Sequence, residues 1–388
     1  MIDVLSKIPL FILSRRLGWP RMLPVNLTLS PSPRCNSRCR TCNIWMKRED
    51  ELSLEEWDRV FQSLGHAPFW VTISGGEPFL FRDLVPLCQS VYRRCRPSIL
   101  NIPTNSLLYR VIPRKVEEIC RSCPEAQVIV NLSLDGVGEK HDRIRGVPGN
   151  FERFERNYRA LRELDCPNLN VGIHSVISRL NVDDAPELFD YALGLEPDSY
   201  ITEIAERRVE LDTMGLDITP SPDRYSWAID RLVEQVERRQ FRGISKVTEA
   251  FRVEYYRLVK RILVEETQVI PCFAGWASAQ IYANGEVWPC CVRADNLANL
   301  RDVGYDFRRI WFSSEADRVR ASIRNAECHC PLANASYTNM LMHVPSVARV
   351  GARVARQSLP VRAQQSGAGG RATPSPSPDA WCDGRRLG

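Results

Sequence analysis

Between residues 25 and 205 short apolar runs alternate with helical stretches, and this alternation restricts the fold more than any other feature of the chain. The strand candidates are residues 25–30, 70–74, 98–104, 127–134, 169–177 and 199–205. Among the helices between them, Ser53-Leu54-Glu55-Glu56 forms a capping box, after which Trp57, Val60, Phe61 and Leu64 recur at the spacing of one helical face. A further helix opens at Phe151 and runs to about Leu164. Repeated βα units imply a parallel sheet with right-handed crossovers, and six strands suffice to curl into a partial barrel. The expected fold class is α/β, a partial (β/α)6 TIM-like barrel over residues 25–215 with a small C-terminal α+β extension. Its functional face is the C-terminal ends of the strands.

These strands carry polar residues where a purely structural barrel has branched apolar ones. Asn26, Thr28 and Ser30 share a face of the first strand and Asn101 and Asn105 a face of the third. So do Asn131, Ser133 and Asp135 in the fourth, and Asn170, Gly172 and His174 in the fifth. Such faces line a lumen able to hold a hydrophilic cofactor and substrate. Asp135, His174 and Glu203 are the candidate catalytic residues, with hydrogen-bonded structural His and Glu side chains as the competing reading.

The flanking segments divide by pattern. Residues 1–24 mix Leu and Ile with Lys7, Arg15, Arg16 and Arg21, as in a helix closing the bottom of the barrel or an amphipathic segment on a membrane surface. Residues 216–270 form a helical bridge: Ser221-Pro222 starts a helix whose apolar stripe is Tyr225, Ile229, Leu232, Val233 and Val236. In residues 271–340 two short strands flank Asn284-Gly285, a hairpin signal, and one helix is expected over 307–325. Residues 341–388 are a basic tail, with an amphipathic helix to Gln357 and then a low-complexity run, 366–378, of disordered composition. A hydrophobic content of 44% and a charged content of 26% are those of a globular protein, and a net charge of +5 does not point to nucleic acid. Fourteen cysteines without a secretory signal suit metal chemistry in a reducing compartment, so a cytoplasmic location is expected.

The loop after the first strand reads Arg34-Cys35-Asn36-Ser37-Arg38-Cys39-Arg40-Thr41-Cys42-Asn43. Its three cysteines can converge on one iron–sulfur cube and leave one iron without a protein ligand, open to a small chelating molecule. Taken alone, the motif also suits zinc. One βα unit later Ser74-Gly75-Gly76-Glu77-Pro78 ends the second strand, where two glycines expose the backbone to a ligand and Glu77 adds a charge.

In these two motifs the chain resembles the radical S-adenosylmethionine (SAM) superfamily. The resemblance implies that Cys35, Cys39 and Cys42 hold a 4Fe-4S cluster whose open iron chelates SAM. One electron then cleaves SAM to methionine and a 5′-deoxyadenosyl radical. It also implies that Gly75, Gly76, Glu77 and Pro78 contact the methionyl amino group, so a side chain at Gly76 is expected to weaken SAM binding and leave the cluster intact. Ser133-Leu134-Asp135-Gly136 resembles the segment that meets the SAM ribose, and Thr104-Asn105 stands where many relatives have Thr-Asn-Gly. Asn105 and Ser133 therefore join the cofactor-binding set. Ser106 replaces the glycine, and Thr41 replaces an aromatic that lies against the adenine in many members. Residues 135–146 resemble the region after the fourth strand in members with a C-terminal cluster domain.

Cys272, Cys290, Cys291, Cys328 and Cys330, around a hairpin and after a helix, resemble a SPASM or twitch extension, which holds auxiliary 4Fe-4S clusters. A full SPASM set needs more than these five cysteines, so one auxiliary cluster is expected, on Cys272, Cys290, Cys328 and Cys330, with Cys291 as the alternate ligand and structural zinc as the competing reading. Cys88, Cys95, Cys120, Cys123, Cys166 and Cys382 are read as non-ligands. The resemblance implies hydrogen-atom abstraction from a small polar substrate, an oxidation assisted by the auxiliary cluster, with a flavodoxin or ferredoxin as electron donor. Peptide maturation is the alternative. Peptide maturases often carry a separate recognition domain, and the chain enters its first strand by residue 25, which weighs toward the small substrate. Modification of a lipid-linked substrate at a membrane surface and a non-enzymatic iron–sulfur sensor or scaffold are the remaining readings.

Overall fold

A computed structural model describes residues 2–238 and 244–358; Cys382 and the low-complexity run lie outside the described residues. Helix α1 (Ile2–Leu17) precedes the core, which runs β1 (Asn26–Leu29), α2 (Leu54–Leu64), β2 (Trp70–Ile73), α3 (Leu84–Cys95), β3 (Ile99–Thr104), α4 (Ile112–Ser122) and β4 (Gln127–Ser133). It continues through α5 (Glu139–Arg145), α6 (Asn150–Arg162), β5 (Leu169–Ile177), α7 (Ala185–Gly194) and β6 (Ser199–Ile204). Two long helices, α8 (Pro222–Glu237) and α9 (Ile244–Glu265), lead to β7 (Ser278–Ile281), β8 (Glu286–Trp288) and β9 (Ala298–Asn299). The chain then forms α10 (Phe307–Trp311), α11 (Ser314–Arg324), α12 (Ala333–Leu341) and α13 (Val344–Ser358).

Strands β1 to β6 pair in parallel, as the βα alternation requires. The sheet does not end at β1: its order is β6-β5-β4-β3-β2-β1-β7-β8-β9, with β7 parallel to β1 and β8 and β9 antiparallel. Four residues of β1 share their register with Ser278 to Ile281, so the C-terminal strands continue the barrel wall.

Local chemistry sets the helices. Ser53 accepts the Glu56 backbone N–H while the Glu56 carboxylate accepts that of Ser53, a reciprocal cap that stabilises α2 by about 1 kcal/mol. Trp57, Val60, Phe61 and Leu64 are buried, each contributing about 1.5–3 kcal/mol of transfer free energy. The single helix expected over 307–325 is two, because Ser313 caps a new start by accepting the Ala316 N–H at 3.2 Å.

Helices α9 and α12 cover the side of the barrel that six strands leave open. The Thr202 N–H on the free edge of β6 donates to the Tyr256 hydroxyl of α9 at 3.3 Å. Asn334 of α12 donates to Thr28 at 2.9 Å and accepts from Asn26 at 2.6 Å, inside the lumen face of β1. The polar inner wall is continuous elsewhere: Asn131 donates to Asn101 (2.8 Å), and Asn101 to Thr72 (3.3 Å). Among the described residues no helix is long and apolar enough to cross a membrane.

Candidate active site

The cysteine loop is held by backbone on both sides. Gly76 N donates to Ser32 O (2.9 Å) and Glu77 N to Arg34 O (2.8 Å); opposite, Arg38 N donates to Arg145 O (3.0 Å) and Arg40 N to Ile144 O (2.9 Å). Only glycine permits either approach. A Cβ at Gly76 would stand 2.1 Å from Arg34 O, and one at Gly146, where φ is +66°, would stand 2.2 Å from Arg38 O.

The three loop thiols lie near enough to influence one another electrostatically. Burial first, and then repulsion from the Cys39 thiolate, pushes Cys35 up to about 11 and Cys42 up to about 12. Thiolates are therefore costly here without a cation, which is the donor chemistry of a metal-bound cluster. Arg145 Nη1 lies 3.5 Å from Cys39 Sγ and Asn105 Nδ2 lies 3.7 Å from Cys35 Sγ, both donors toward sulfur. Three thiols on one loop beside a glycine cradle fit the cluster that the resemblance implies. Among the described residues no group of three or more His, Cys, Asp or Glu side chains is closed around the position of a single metal ion.

Glu77 sits beneath the turn, only 2% exposed. Its carboxylate accepts from Thr104 Oγ1 (2.8 Å), Asn105 N (2.7 Å) and Phe79 N (3.2 Å), and burial still pushes it up to about 7. The side chain thus ties the end of β2 to the end of β3, and the exposed part of the motif is the Gly75-Gly76 backbone. Pro78 is buried in a short 3-10 turn. Ser106 adopts φ +66°, the left-handed conformation natural to the glycine it replaces, so the turn after Asn105 survives the substitution. Ser133, half-buried at the end of β4, lies on the lumen face.

Asp135 is buried as well. Its Oδ2 forms a 2.9 Å ion pair with Arg145 Nε, its Oδ1 accepts the Val176 N–H at 2.8 Å, and it is 2% exposed. The pair links Asp135 through Arg145 to Cys39. Burial opposes the Arg145 cation, yet Asp135 and Cys39 keep its pKa above the usual value. Next to it, His141 Nδ1 accepts the Asp135 N–H (3.0 Å), so Nε2 carries the proton and donates to Asn150 Oδ1 (2.8 Å). Burial pulls His141 down to about 4, which keeps it neutral. Asn150 donates to Asn105 O at 2.9 Å, completing a buttress from α5 to the residue beside Cys35.

Farther round the wall, His174 Nε2 lies 3.4 Å from Glu203 Oε1, and Arg208 Nη2 lies 3.0 Å from both Glu203 Oε2 and Glu206 Oε1. Burial disfavours the Glu203 anion, but His174 and Arg208 outweigh it and hold the carboxyl down at about 2. For Glu206 burial wins over Arg208, and the carboxyl rises to about 7. Glu210 accepts from Ser30 of the β1 end at 2.8 Å and from Gln280 of β7. Glu206, Arg208 and Glu210 escaped the sequence reading, although a charged run directly after β6, at the functional end of a strand, was the available signal.

Cys272, Cys290, Cys328 and Cys330 lie near enough to influence one another electrostatically. After burial, Cys290 is raised by Cys272 and Cys328, and Cys330 by Glu206, Cys290 and Cys272. Cys291 adjoins the set: it packs with Leu332, Ala335 and Cys330, its strongest charged neighbour is Arg208, and its carbonyl accepts the Glu210 N–H at 3.3 Å. Cys88, Cys95, Cys120 and Cys123 are buried in the core, and Cys166 is half-buried against it.

Comparison with known proteins agrees with this arrangement. The Radical SAM superfamily model matches residues 29–192 and an Iron-sulfur cluster-binding domain (SPASM) model matches residues 272–331. The chain thus carries a radical SAM domain followed by a C-terminal SPASM-type domain. It is 33% identical over 163 residues to the Fe-coproporphyrin III synthase of Methanosarcina barkeri, an alignment covering 40% of this chain and only 38% of that protein. It is 26% identical over 319 residues to the PqqA peptide cyclase of Rhizobium meliloti, covering 76% of each. Streptococcus suis SuiB, solved with SAM, shares the fold with a TM-score of 0.58 at 17% identity, over 77% of this chain and 68% of SuiB; it has also been solved bound to the precursor peptide SuiA.

Proposed function

We propose that the enzyme modifies a peptide by abstracting hydrogen from a residue inserted into the polar lumen. The carrying observation is the His174, Glu203, Arg208 and Glu206 array at the C-terminal side of β5 and β6, where Glu206 acts on Cys330 and Arg208 on Cys291 electrostatically. Reductive cleavage of SAM to a 5′-deoxyadenosyl radical is the chemistry that the first cluster supplies when bound. In this reading Cys35, Cys39 and Cys42 hold that cluster. The Gly75-Gly76 backbone, Asn105 and Ser133 orient SAM, and Glu77 and Asp135 position the groups that touch it. Cys272, Cys290, Cys328 and Cys330 hold the auxiliary 4Fe-4S cluster, and the ionised Glu203 with Arg208 orients the substrate. A flavodoxin or ferredoxin in a reducing cytoplasm serves as electron donor.

Similarity to the PqqA peptide cyclase across three quarters of the chain, and to the fold of SuiB, supports the peptide over the small polar molecule favoured by sequence alone. Anaerobically reconstituted enzyme with SAM and a chemical reductant should form 5′-deoxyadenosine faster when a library of short random peptides is added, and a captured peptide should change mass. If no peptide raises formation above the substrate-free background, the reading fails.

A further inference from the structure

The N-terminal segment carries a bare apolar stripe. Leu10, Leu13 and Leu17 recur along one face of α1; Leu13 is half-buried, but Leu10 is 42% and Leu17 71% exposed, with Trp19 just beyond at 69%. The helix is not loose. Phe11 and Ser14 are buried, and Arg15 donates to Cys272 O at 2.9 Å while its guanidinium lies over the Trp276 ring. The stripe is therefore held outward by a fixed helix.

Beside the end of α1 opens a cleft of about 250 Å³, lined by Ser14, Arg21, Asp317, Arg320 and Arg324 among others. Three guanidiniums there face one carboxylate. Asp317 is shared between Arg21 (3.1 Å) and Arg320 (2.8 Å). Arg324, and Arg16 on the last turn of α1, are exposed and form no ion pair among the described residues.

We propose that this surface binds an anionic membrane, with Leu10, Leu17 and Trp19 at the boundary between headgroups and acyl chains and a lipid phosphate in the arginine cleft. Exposed Trp and Leu side chains beside unneutralised arginines suit the boundary of an acidic lipid surface. A purely apolar protein partner would cover the stripe but leave the cleft charge unmatched. Because α1 enters β1 from its N-terminal end, the mouth at the C-terminal ends of the strands is turned away from the bilayer and toward water-borne substrate.

The test is flotation of the full-length protein with vesicles of phosphatidylcholine alone or mixed with phosphatidylglycerol. Binding should require phosphatidylglycerol. Leu17→Ser with Trp19→Ser, and separately Arg324→Glu, should each lower the bound fraction on the order of tenfold with an unchanged circular dichroism spectrum. Emission assigned to Trp19, by difference from Trp19→Phe, should shift to the blue on phosphatidylglycerol vesicles and not with inorganic phosphate at equal phosphate concentration. The proposal is overturned by equal binding to both vesicles, by failure to bind either, by variants that float like the unsubstituted protein, or by self-association through this face without vesicle binding.

Discussion

Replacing Gly76 with alanine tests how the SAM turn and the cysteine loop are built together. The new methyl carbon would lie 2.1 Å from Arg34 O and 2.6 Å from both Arg34 C and Pro33 O, where contacts below 3.0 Å essentially never occur. One strand of backbone must retreat by about 1 Å, and neither is a flexible side chain. Overpacking of this kind costs roughly 1–3 kcal/mol. The same retreat stretches the hydrogen bonds Gly76 N to Ser32 O and Glu77 N to Arg34 O, worth about 0.5–1.5 kcal/mol each. The sum, about 2–6 kcal/mol, should lower Tm by several degrees. The displaced residue Arg34 adjoins Cys35, so iron content after anaerobic reconstitution should fall as well. This reverses the expectation from sequence that a side chain at Gly76 disturbs SAM alone. SAM cleavage should drop on the order of a hundredfold, as for an ångström-scale misplacement of reacting groups. Full iron content together with an unchanged Tm would refute the reasoning.

Three further outcomes follow from single side chains. The Glu206 carboxyl rises from an ordinary 4.5 to about 7 on folding, so its contribution is complete below pH 4.5 and is lost as pH climbs through 7. Glu206→Gln should remove about 3 kcal/mol of that decline, read as the difference between two urea-unfolding series over this pH range. Ser106→Gly should stabilise the protein by about 1 kcal/mol, because φ is +66° and the buried hydroxyl has no hydrogen-bond partner among the described residues; a lower Tm would contradict this. Cys291→Ser should keep the auxiliary iron that Cys290→Ser loses, and equal iron loss in the two variants would place Cys291 among the ligands.

Much of the site was legible because it is local in sequence. Cys35, Cys39 and Cys42 lie within one loop, Gly75 and Gly76 within one turn, and the polar face of each strand follows from a period of two. Such relations are fixed by backbone geometry over a few residues and need no knowledge of what packs against them. That a second group of cysteines gathers in residues 272–330 was likewise readable, since a hairpin brings Cys290 and a short Cys-His-Cys run brings Cys328 and Cys330.

What the sequence by itself determined is the alternation that makes a parallel barrel, the cysteine loop on its functional face and a polar lumen. The tertiary structure alone decided which polar groups meet. Glu77 turns inward because Thr104 and Asn105 of the next strand offer it donors, and Asp135 is bound to Arg145. The pairing of β7 with β1 across some 250 residues, and the closure of the barrel by α9 and α12, are likewise unwritten in any local pattern. A carboxylate's role depends on the nearest donor in space, and a strand edge takes whichever partner buries it; both are set by packing between segments distant in the chain.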